Sequence, residues 1–158
     1  MTDSASSAAN ALCAGDPLDL ASLARVSLPE RGIYAWWVED GALPGVPTTP
    51  HPVATSFGLI YVGIGPRSAA SGETLSTRLV GKHMKGNTGS STLRLTLAAH
   101  LLDALDLKPV ATTTKTVLTP RDNGRLSSWM GEHLGVTWIA HPSPWGSRGR
   151  WCEFLRPR

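Results

Sequence analysis

Two tyrosines, an arginine and a histidine follow one another in an order that could do chemistry. Tyr34 lies in "RGIYAWWVEDG", Tyr61 in "GLIYVGIG", and Arg78 and His83 in "LSTRLVGKH". The chain has no other tyrosine, and each of these sits beside glycines in an apolar run. A phenol can orient or deprotonate a water molecule. With an ordinary pKa of about 10 it is a poor base at neutral pH unless a metal or an arginine lowers that value. A guanidinium offers phosphate oxygens a planar fork that lysine does not reproduce. An imidazole can share the proton work or contact a phosphate. These groups suit phosphodiester hydrolysis, which needs an activated water, a cation beside developing negative charge and help for the leaving oxygen.

Other chemistries lack their signatures. "GIG" at 63–65 has no third glycine and runs into Pro66, so it is not a dinucleotide fingerprint. No GxxxxGK[ST], GxSxG or HExxH pattern occurs, and His100 in its leucine-rich run reads as a packed or flanking residue. The net charge of +3 matters less than its placement. Residues 60–100 hold five basic side chains against Glu73 alone, and residues 148–158 hold four arginines against Glu153. Such regions attract polyanions. Lys82, Lys85 and Arg94 are therefore read as nucleic-acid contacts. Arg94 stands close after "GNTGSST", where free helix amides would add to its charge.

The elements that must position these groups are legible in outline. "GIYAWWV" and "FGLIYVGIG" read as strands, joined without a helix and so most simply antiparallel neighbours. Between them, residues 41–56 carry four prolines and read as a loop insertion. "SGETLSTRLVGKHM" reads as a helix with Ser71 as its cap and Glu73 at its positive end. In a regular helix His83 would lie about 140° around from Arg78, and Gly81 is where a break would bring them together. Leu93, Leu97, Leu101 and Leu105 recur every four residues and predict a packed amphipathic helix. "KTVL" is a short strand, 120–124 a turn, "RLSSWMGEHL" a helix and "VTWIAH" a strand. Residues 1–28 read as an N-terminal extension, disordered in its Ser/Ala-rich first part with a short helix after it, and 29–158 as a single domain. The fold class is α+β, a small mixed or antiparallel three-stranded sheet flanked by helices. No apolar run approaches the roughly 20 residues that span a bilayer. Cys13 and Cys152, far apart, suit reduced thiols, and the start lacks a basic secretory segment. These features suit a cytoplasmic protein with no membrane partner.

The ordered set Gly32-Ile33-Tyr34, Tyr61-Val62-Gly63, and Arg78 followed by His83 resembles the GIY-YIG nuclease family, over about half the chain. The resemblance implies that the two tyrosines face one another across a shared groove. It implies a metal-dependent endonuclease that hydrolyses DNA, with Tyr34, Tyr61, Arg78 and His83 catalytic and Mg²⁺ or Mn²⁺ as cofactor. It also implies a metal-binding glutamate on a helix after the third strand. Glu153 is the only acid after "VTWIAH", and it stands about two turns later than that pattern. Glu132, on the helix before the strand, is the other candidate, and reads rather as a helix-surface carboxylate. The displaced acid leaves a second reading: a nucleic-acid-binding module of the same fold that has lost its metal carboxylate.

Overall fold

The computed structural model describes residues 4–147. At its centre is strand β2 (Gly32–Glu39), buried along its length except at Glu39. Successive residues of a strand point to opposite faces, so the adjacent Trp36 and Trp37 enter different layers. Tyr34, Trp36 and Val38 join the larger core, and Ile33, Ala35 and Trp37 the smaller one. Each large side chain so buried contributes on the order of 2 kcal/mol. This two-sided burial is why the run has no polar alternation.

Strand β2 pairs antiparallel with β4 (Phe57–Gly65) on one side and with β7 (Leu134–Ala140) on the other. Two short strands, β1 (Leu18–Asp19) and β3 (Thr49–Pro50), complete a five-stranded sheet in the order β1-β7-β2-β4-β3. The α+β expectation holds, with two more edge strands than the sequence showed. Three helices and a π-helix supply the larger core's other wall: α2 (Leu20–Leu23), a π-helix (Thr77–Met84), α3 (Thr92–His100) and α4 (Pro120–His133). A two-residue hairpin of β5 (Val110–Ala111) and β6 (Thr116–Val117) lies between α3 and α4 in the chain. Among the described residues, no helix is long and apolar enough to cross a membrane.

Two expectations need correction, the disordered start and the beginning of the last helix, and the 41–56 loop shows how it is anchored. The Ser/Ala-rich start is ordered as α1 (Ser4–Leu12), because Ala8 and Leu12 give it a small apolar face that covers the second core. Residues 41–56 are tied down as well. His51 is fully buried; its Nδ1 accepts the Val53 and Ala54 N–H groups at 3.1 and 2.9 Å, and Nε2 lies 2.9 Å from the Gly15 carbonyl. Helix α4 starts at Pro120 rather than after Gly124. Thr119 caps it by accepting the Asp122 N–H at 3.3 Å, and a proline in the first turn gives up no helical hydrogen bond.

Candidate active site

Strand register brings the tyrosines together. Tyr34 stands opposite Gly63, and Trp36 opposite Tyr61, so all four share one face. The next pair is Trp37 with Leu59, on the other face, so Ile60 is an extra residue. This β-bulge lets Tyr61 face the larger core while Leu59 faces the smaller one. The two phenol rings lie 6.3 Å apart at 27°. Gly63 has no side chain because the Tyr34 ring occupies that space: a Cβ there would overlap the ring and its hydroxyl.

Arg78 and His83 come from the π-helix. Its i→i+5 bonding, as in Lys85 N–H to the Val80 carbonyl at 3.0 Å, winds five residues into slightly more than one turn. Residues five apart are thereby brought to one side, which a regular α-helix would have separated. Both are buried, at 4 and 0 % exposure. His83 Nε2 lies 2.7 Å from the Tyr34 hydroxyl, and the imidazole centroid is 5.5 Å from that of Tyr34 and 5.6 Å from that of Tyr61. The Arg78 Nε is buried without a hydrogen-bond partner, as is the Nε of Arg94. Arg78 also lies 3.9 Å from Glu73, which accepts a hydrogen bond from Lys82.

Burial sets the electrostatics. Desolvation, and then the like charge of Tyr61, raises the Tyr34 pKa, against the pull of Arg78 by charge and hydrogen bonding. Tyr34 is therefore a neutral phenol at pH 7 rather than a ready base. Desolvation pushes His83 down to about 3, and Arg78, Arg67, Lys82 and Arg94 add to this. Its imidazole is neutral at pH 7. The hydrogen bond from Lys82 holds Glu73 below its ordinary value despite burial.

The expected nucleic-acid contacts divide. Lys85 is exposed, while Lys82 is half-buried and engaged with Glu73. Arg94 does not face solvent at all, which corrects the expectation of a phosphate contact. It is wholly buried and donates to the carbonyls of His83 and Met84 at 3.1 and 3.0 Å. It also donates to the Asn123 carbonyl and side chain at 3.1 and 2.7 Å and to Ser127 Oγ at 2.8 Å. Desolvation lowers its pKa to about 10. Arg94 fastens the end of the π-helix to α4. Sequence reasoning missed Ser91, whose Oγ lies 2.8 Å from His83 Nδ1; a serine opening the "TLRLTL" run was the available signal, as an N-cap.

Glu153 lies outside the described residues. Glu132 is exposed beside His133 on α4. Among the described residues, no three His, Cys, Asp or Glu side chains lie together as a metal site would need. Glu73 is already taken by Lys82 and Arg78. The described residues therefore do not fit a metal ion by themselves. What they do form is one largely buried cluster of a guanidinium, two stacked phenols and a neutral imidazole. The family model described as "GIY-YIG catalytic domain" matches residues 32–147. No curated protein and no solved structure matches the chain.

Proposed function

Because the chain belongs to the GIY-YIG nuclease family, we propose that it is a metal-dependent endonuclease that hydrolyses DNA phosphodiester bonds. The observation that carries this reading is Arg78, whose buried, unpartnered Nε lies on the same side of its helix as the imidazole bonded to Tyr34. A phosphate oxygen supplies the acceptor that this donor lacks, and the guanidinium offsets charge that grows as the water attacks. Half-buried Tyr61 is the more accessible phenol and orients that water. Tyr34 and His83 form a rigid neutral pair behind it. Arg67 and Lys85, both exposed, add to the attraction of a polyanion. GIY-YIG nucleases generally use a divalent metal ion; Mg²⁺ or Mn²⁺ is the proposed one and Glu153 its proposed ligand. Purified protein with supercoiled plasmid and Mg²⁺ or Mn²⁺ should produce nicked circles. Arg78→Ala should reduce the rate at least about 100-fold. Equal cutting by both proteins would refute the mechanism.

The engagement of Glu73 favours a second reading, a DNA-binding module on the same fold that does not cut. It expects binding that weakens steeply with salt, because phosphate contacts release counterions, and no nicking at any metal concentration. Metal-dependent cutting that is lost in Glu153→Ala would eliminate it.

A further inference from the structure

We infer that Ser91 holds His83 as the Nε2–H tautomer and so turns the Tyr34 hydroxyl proton away from the imidazole. Ser91 is 2 % exposed, so its hydroxyl cannot rely on water. Its oxygen accepts the Arg94 backbone N–H at 3.1 Å, and that N–H can only donate. The same oxygen lies 2.8 Å from His83 Nδ1, and among the described residues it makes no other hydrogen bond. If Nδ1 carried the proton, Ser91 would accept twice and its own proton would be stranded in the interior, which is costly. Ser91 therefore donates to Nδ1. A neutral imidazole with Nδ1 accepting carries its proton on Nε2, which donates to the Tyr34 oxygen at 2.7 Å.

The direction of this chain decides what Tyr34 offers. Its oxygen is an acceptor on the His83 side, and Arg78 has only donors, so the phenol proton can satisfy neither neighbour. It is left for an acceptor on the side of Tyr61, the half-buried phenol whose ring lies 6.3 Å away. Each donor in the series Ser91, His83, Tyr34 polarises the next. Tyr34 thus works as a hydrogen-bond donor at the site, and Ser91 is a positioning residue that acts through His83. The consequence for catalysis rests on the nuclease reading; the tautomer does not.

Long-range ¹H–¹⁵N correlation spectra of the imidazoles at pH 7 give the tautomer directly. Wild type and Ser91→Thr, which keeps the hydroxyl, should both show Nε2–H. Ser91→Asp keeps a good N-cap but can only accept, so it should move the proton to Nδ1. On plasmid its kcat should fall about 100-fold while KM changes less than about threefold. A capping role alone predicts that Ser91→Asp behaves as wild type. An Nδ1–H signature in the wild type, or wild-type spectrum and kcat in Ser91→Asp, would overturn the inference. If wild type cuts no DNA, the nuclease reading fails, yet the wild-type spectrum still decides for or against Ser91.

Discussion

Among single residues, the neutrality of His83 has a measurable cost. With burial holding its folded pKa at about 3 and an unfolded value of about 6.5, the unfolded chain binds the extra proton first as pH falls. Above about pH 6.5 both states are neutral and the group adds no pH dependence. Between about 6.5 and 3 it removes up to about 1.4 kcal/mol of stability per pH unit. Urea unfolding from pH 7 to 4 should show this decline, and His83→Gln should flatten it. Gly63 supplies a second prediction. Gly63→Ala forces a methyl into the Tyr34 ring and should cost about 1–3 kcal/mol. In Tyr34→Ala the same change should cost much less, so a double-mutant cycle reads the coupling. The two tyrosines, the arginine and the histidine of the candidate site were legible from type and order. The need for glycine opposite Tyr34 was not, because it depends on strand register.

At the scale of elements, the π-helix is equivalent to an α-helix with one residue inserted. Arg78 and His83 are five apart, and removing a residue between them would leave them four apart, which an α-helix places on one face. Gly81 is exposed, and an added Cβ would come no nearer than 3.9 Å to Thr77. Deleting it should retain nicking within about tenfold, and losing a helical glycine should raise stability by up to about 1 kcal/mol. Plasmid cutting and thermal melts by circular dichroism check both; complete loss of cutting in a folded protein would show that the π winding itself is required. The three long strands were readable because their apolar and aromatic runs are unambiguous. The winding was not, since its residues also satisfy an α-helical pattern. Proline and glycine at 120 and 124 imitated a turn, because a first-turn proline looks the same in either setting.

For the whole molecule, Arg94 joins three pieces that the chain order separates. Its donors reach back 10 to 11 positions to the π-helix end and forward 29 to 33 positions to α4. Charged side chains are usually exposed, so sequence alone placed it on the surface; only the fold reveals the carbonyls that surround it. Replacing a buried ion by an apolar side chain is often harmless when its partners leave with it. Here the carbonyls of His83, Met84 and Asn123 stay behind. Arg94→Met should therefore destabilise by on the order of 3 kcal/mol, seen as a lower urea midpoint. Residues 4–12 escaped a sequence reading because only small side chains and one leucine anchor them, too little to outweigh a polar composition. Those residues, with His51, close off the Trp37 side of β2. The central strand is thus a partition with two independent tenancies. Sequence drift beneath α1 alters how firmly the partition stands, while Tyr34, Tyr61 and His83 on its far side keep their spacing, so robustness and the candidate site can evolve as separate traits.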